Sequence, residues 1–240
     1  MQEYFKSEIL KQKHSFSIVL LWLAPLLTIM LALGLMGGNY LQEGAYNWWY
    51  MLLLPSCFTM FSTFMVTRER SKNRHGLLGI AVQKRKLWFA QIGICTFFLL
   101  ITCMLFFIFI TIGGWVFGQS ISVSESFLAS VLLFCTFAWQ IPLWMFLAHK
   151  IGALPVIVFS LFCNFIIPVI CAVESYWWIP FAIPARLMCV CIHVFPNGLQ
   201  VETVSSLADY NIILSGILIT VAFFILITKL TADWFDKCEV

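Results

Sequence analysis

Formal charge is confined to a few short stretches of this chain, and long uncharged runs lie between them. Residues 16–36 and 47–67 hold no Asp, Glu, Lys or Arg over 21 positions each, and 87–124, 126–149, 151–173 and 211–228 are equally clean. A helix crosses a hydrocarbon core of ~30 Å with roughly 20 apolar residues. Backbone polar groups inside lipid must be satisfied within the protein, so spans this apolar are helices. A transmembrane β-barrel would alternate polar and apolar positions, which these runs do not. The sequence therefore predicts an all-α integral membrane protein in a single transmembrane domain, residues 1–240. Its six spans fall at 16–36, 47–67, 87–117, 127–148, 151–173 and 211–230. The third exceeds one bilayer width and is expected to tilt or overhang. The chain is 62% hydrophobic and 10% charged, against about a quarter charged in soluble domains. A soluble fold is excluded.

The basic residues predict orientation. With the N-terminus cytoplasmic, 13 of the 14 Lys and Arg fall inside and Arg186 alone falls outside, as the positive-inside rule requires. Both termini are then cytoplasmic in a multi-pass protein of the cell membrane. The first run is too long for a signal-peptide core and is followed by a paired span, so it reads as an uncleaved anchor. A net charge of +3 gives no argument for nucleic acid.

Three segments between the spans carry more than linkage. In 1–15, Met1, Phe5 and Ile9 recur every four residues among polar neighbours, the pattern of an interfacial helix. In 68–86, two basic clusters bracket the short apolar stretch 77–82. The cations suit anionic headgroups, and Gly76 and Gly79 permit turns around Leu77, Leu78 and Ile80, which a protein partner can contact. In 174–210, the interfacial aromatics Tyr176, Trp177 and Trp178 precede Pro180 and Pro184. These prolines break the backbone before the apolar stretch 185–195, a re-entrant or surface-lying helix that Pro196, Asn197 and Gly198 turn outward again. Prolines inside the spans (Pro25, Pro55, Pro142, Pro155, Pro168) predict kinks, and Gly34…Gly38 and Gly114…Gly118 have the spacing of close helix contacts.

Catalytic chemistry is not visible. The chain has no phosphate-cradling G-x-x-x-x-G-K-[ST], no H-E-x-x-H and no G-x-S-x-G. His14, His75, His149 and His193 are dispersed, which leaves no haem or metal ligand set. Six of the nine cysteines fall in the spans as small hydrophobes, and no Cys-x-x-Cys occurs, though Cys189 and Cys191 lie close together in the outer loop. No charge sits deep in a span, which weighs against an ion-coupled carrier. An uncharged core with a structured cytoplasmic loop points to a mechanical drive from another subunit.

These features together resemble an ABC-2-type permease subunit: six spans, an interfacial N-terminal helix, a coupling helix between spans two and three, and re-entrant helices between spans five and six. More narrowly, Leu21-Trp22-Leu23-Ala24-Pro25-Leu26-Leu27-Thr28 and the turn from Gly38-Asn39-Tyr40-Leu41-Gln42-Glu43-Gly44 to Ala45-Tyr46-Asn47-Trp48-Trp49-Tyr50 are similar to permeases of lantibiotic-immunity ABC transporters, the MutE/EpiE group of Gram-positive bacteria. The resemblance implies a separate ATP-binding subunit, in two copies, and a second related permease. It implies a cationic, lanthionine-containing peptide as cargo. ATP and Mg would belong to the partner ATPase, with no catalytic residue, metal or cofactor on this chain. Coupling to the ATPase would fall on Arg70, Lys72, Arg74, Gly76, Leu77, Leu78, Gly79 and Ile80.

The outer loops add an independent expectation. Glu43, Glu125, Glu174, Glu202 and Asp209 face Arg186 there, and an acidic, aromatic-edged surface would attract a cationic peptide. Glu43, Trp48, Trp49, Glu174, Trp177 and Trp178 are the expected contacts. Another cargo (drug, lipid or polysaccharide) and stand-alone sequestration of peptide remain the alternatives.

Overall fold

The computed structural model describes residues 2–13, 15–71, 83–199 and 209–238. It is a bundle of helices: α1 (Gln2–Gln12), α2 (Phe16–Met36), a 3-10 turn (Gly38–Tyr40), α3 (Leu41–Trp48), a π turn (Trp49–Leu53), α4 (Leu54–Ser71), α5 (Lys84–Phe117), α6 (Val123–Phe137), α7 (Gln140–Ile151), α8 (Ala153–Cys171), α9 (Ile183–Cys191) and α10 (Asn211–Lys237). Five stretches are long and apolar enough to cross a membrane: α2, residues 38–67, α5, α8 and α10. A sixth is α6 with α7, which together qualify but bend by 41° where they meet.

The prolines explain several irregularities, because each removes an N–H and crowds the carbonyl four residues before it. Pro142 stands four residues after Ala138, whose carbonyl is taken by the Ile141 N–H at 3.1 Å instead. The span expected as one helix over 127–148 is thereby broken. Pro55 follows the π turn, where the Leu54 N–H reaches back five residues to the Trp49 carbonyl, a wider turn that leaves the ring room. Pro25 leaves α2 unbroken. It frees the Leu21 carbonyl, which accepts the Thr102 hydroxyl of α5 at 3.0 Å, the kind of cross-helix repair that lets membrane helices carry proline.

Lys84, Arg85 and Lys150 gather at one end of the bundle. Lys84 donates to the Cys238 carbonyl at 2.6 Å, Arg85 pairs with Asp233 at 3.2 Å, and Lys150 lies over the Trp234 ring at 5.0 Å. The α1 helix docks at this end: the Phe5 ring lies against Gly93, the Tyr4 hydroxyl accepts the Gln83 N–H, and Gln12 donates to Met65 Sδ. Its buried face is Glu8 and Gln12, with Ile9 and Leu10 exposed. A soluble amphipathic helix buries the opposite face. Apolar residues turned outward suit a helix lying against lipid.

At the opposite end the chain re-enters the bundle. After α8, Phe181 packs on Trp139 (ring centroids 4.9 Å apart) and Trp144 (6.1 Å). Trp139 also meets Phe223, twelve residues into α10, a depth of about 18 Å. The following helix is shifted from the expected 185–195: α9 starts at Ile183 and takes Pro184 into its first turn, where a missing N–H costs nothing. All nine residues of α9 are buried. Gly216 of α10 gives room for Ile183 and Leu187, and Pro196–Gly198 then form the expected turn, closed by the Gly198 N–H on the Phe195 carbonyl.

Candidate functional site

Two sets of buried polar groups stand out where an apolar bundle has few. The first lies beside the α6–α7 break. Gln140 and Asn164 face each other as a reciprocal amide pair: Gln140 Nε2 donates to Asn164 Oδ1 and Asn164 Nδ2 to Gln140 Oε1, both at 2.9 Å. Trp144 Nε1 donates to the same Gln140 oxygen at 3.1 Å. Asn164 Nδ2 also reaches the Ser160 carbonyl, and the Ser160 hydroxyl shares a 2.7 Å hydrogen bond with Thr59. This network ties α4, α7 and α8 together next to the one bent span. In lipid such bonds average about 0.6 kcal/mol and reach about 1–2 kcal/mol, which holds an arrangement without locking it.

The second set closes the end opposite the basic residues. Gln42 accepts the N–H groups of Ser120 and Ile121, both at 2.8 Å, and Gly114 lies so close that any side chain there would overlap the Gln42 amide. Tyr46 O–H lies 2.7 Å from the Ser126 hydroxyl and 2.9 Å from its carbonyl. Asn47 Nδ2 donates to the carbonyls of Phe195 (3.1 Å) and Pro196 (3.0 Å), and the Tyr50 hydroxyl also donates to Phe195. Cys191 Sγ reaches the Glu125 carbonyl. All nine cysteines are free. The α6 N-terminus is fixed by a capping box between Ser122 and Glu125, a sequence signal that would have started this span at Val123 rather than 127.

The residues singled out from sequence fall in different places. Of the coupling set, Arg70 stands in the last turn of α4, while Lys72, Arg74, Gly76, Leu77, Leu78, Gly79 and Ile80 lie outside the described residues, as does Glu202. The two flanks of that loop are described: α4 ends at Ser71 and α5 starts at Lys84, both at the basic end beside α1. Of the expected substrate contacts, Trp49 is fully enclosed, stacked on Phe106 at 4.6 Å. Glu43 is buried, Trp48 and Trp177 are half-buried, and Glu174 and Trp178 are exposed. Arg186, counted from sequence among the outer surface charges, is 5% exposed. Polar uncharged residues such as Gln140, Asn164 and Gln42 escaped a reading built on charge.

Multiple apolar helices around buried neutral polar contacts define a multi-pass membrane protein. Residues 4–177 match a family model described as ABC-2 family transporter protein, and the chain belongs to that family. It is accordingly a transporter membrane subunit of the kind that works with an ATP-binding subunit. No curated protein and no solved structure matches the chain. Among the described residues no group of His, Cys, Asp or Glu is placed to hold a metal ion.

Proposed function

We propose that this chain is the non-catalytic permease of an ATP-driven exporter that clears lantibiotic-type cationic antimicrobial peptides from the membrane of a Gram-positive cell. The observation that carries the transport reading is the family match over 4–177, and the two quoted N-terminal stretches support the peptide cargo. The basic end faces the cytoplasm in this reading. ATP binding closes two copies of the ATPase subunit against the loop 71–83, with Leu77 and Leu78 as contacts and a second permease completing the pathway. Motion of that loop passes to α4 and α5, its two flanks, and to α1, which touches both through Met65 and Gln83. Exposed Glu174 and Trp178 would meet peptide at the outer end.

A killing curve against a lantibiotic panel tests this. Protection is expected only when the chain is expressed with its ATPase and second permease, and is expected to vanish when the ATPase loses its catalytic glutamate. Protection by the chain alone would instead mean sequestration. Leu77→Asp with Leu78→Asp is expected to abolish copurification of the ATPase while leaving membrane insertion intact. Retained assembly would remove the coupling role from this loop.

A further inference from the structure

Arg186 is a cation inside the bundle, and its neighbours do not account for it. It sits one turn into α9, 5% exposed, between Ile183 and Leu187, which pack on Gly216 of α10. Two of its three guanidinium nitrogens, Nε and Nη1, are buried and meet no hydrogen-bond partner among the described residues. Burial works against its charge, and Asp209, near enough to oppose that loss in part, makes no ion pair with it and spends an oxygen on the Asn211 N–H at 3.0 Å. Buried charges are ordinarily paired or hydrogen-bonded, because removing them from water is expensive. Both bidentate edges of a guanidinium, Nε with Nη2 and Nη1 with Nη2, therefore have a buried donor left unmet, and such an edge is the fork that fits an oxyanion.

The surroundings narrow the class of anion. Every residue of α9 is buried, and apart from Arg186 the helix is Ile, Pro, Ala, Leu, Met, Cys and Val. An anion that reaches Arg186 leaves water for this apolar setting, and a singly charged phosphodiester anchored by tails in lipid gives up less hydration there than free phosphate. The adjoining second span is also irregular: its π turn, Trp49–Leu53, lies against α9, and Tyr50 bonds to the loop that follows α9. Such turns concentrate at functional sites.

We infer that Arg186 forms a binding site for the phosphate group of an amphiphile, a lipid headgroup entering from the end of the bundle opposite the basic residues. The inference rests on the chain's being a membrane permease and is independent of its peptide cargo. Its test therefore reads binding in the absence of ATPase and peptide, and its failure leaves the killing curve untouched.

The test is thermal unfolding of the purified chain in a phosphate-free maltoside detergent, with three additives: dihexanoylphosphatidylglycerol, dihexanoylglycerol (the same tails without phosphate) and inorganic phosphate. The phosphatidylglycerol is expected to raise Tm in a saturable way and the dihexanoylglycerol to leave it unchanged. Inorganic phosphate acting as strongly as the phospholipid would overturn the amphiphile as the source. Arg186→Met is expected to melt no lower than the wild type without additive, since it removes an unpaired buried charge, and to lose the phospholipid-induced rise. Arg186→Lys, which keeps charge but not the fork, is expected to bind about tenfold more weakly, the loss of one charge-assisted hydrogen bond. Equal responses to the two dihexanoyl compounds, or equal affinities of wild type and Arg186→Lys, would overturn the site, and this second comparison stands even where Arg186→Met fails to fold.

Discussion

The two ends of the bundle are held by different physics. At the basic end direct ion pairs and ring contacts stand beside a few hydrogen bonds: Arg85 with Asp233, Lys150 over Trp234, and Trp88 stacked on Phe235 with centroids 4.6 Å apart. Charged pairs at half-exposed positions are weak, and stacked rings tolerate sliding. At the opposite end, neutral side chains from one stretch hydrogen-bond backbone outside it: Gln42 the loop before α6, Tyr46 the first turns of α6, and Asn47 and Tyr50 the Phe195 carbonyl after α9. A buried amide that loses its backbone partner strands that partner as well. One end is thus held loosely and the other kept in register.

The comparison can be broken at its strong end first. Gly114→Leu drives a side chain into the Gln42 amide, displaces it from Ser120 and Ile121, and is expected to destabilise by about 3 kcal/mol. Detergent-denaturant unfolding would measure it. A neutral outcome would show that the end opposite the basic residues is not held through Gln42. The middle of the molecule is expected to be intermediate. Asn164→Leu leaves Gln140 without its amide partner and should cost about 1–2 kcal/mol. Gln140→Leu with Asn164→Leu should cost less than the two single changes added together, because the pair acts as a unit. Additive losses would mean that the amides contribute separately. The smallest effect belongs to the basic end: Asp233→Asn removes an ion pair whose side chains are 51% and 44% exposed, and a change below about 0.5 kcal/mol is expected in the same assay. A larger loss there would erase the contrast between the ends.

Much of this architecture is legible in the residues. Lipid-facing helices are apolar all round, so an uncharged run marks its own limits, and α2 occupies the expected 16–36 without change. Where packing rather than lipid sets the boundary, the reading falls short. The last helix continues past 230 to Lys237 because Trp234 and Phe235 pack on Trp88, contacts that no local pattern contains. The break between α6 and α7 required knowing that the Ala138 carbonyl would be handed to Ile141 rather than repaired by a neighbour, as Thr102 repairs Leu21. Those two outcomes start from the same residue type, and tertiary contacts decide between them. The same holds for Trp49 and Arg186. An aromatic or a cation near a span end reads as interfacial, and the rotation of its helix decides whether it faces water or the interior.

The π turn at Trp49–Leu53 has a consequence for how the second span transmits motion. A turn that spends an extra residue shifts the phase of everything beyond it by about 100° relative to an uninterrupted α-helix. The segment that grips the loops of the opposite end and the segment that leads to the basic end are therefore one chain written in two phases. Deleting a single residue between 49 and 53 would bring them back into step. Tyr46 and Asn47 would then turn away from Ser126 and Phe195 while α4 kept its place, uncoupling the two ends with every contact at the basic one left intact.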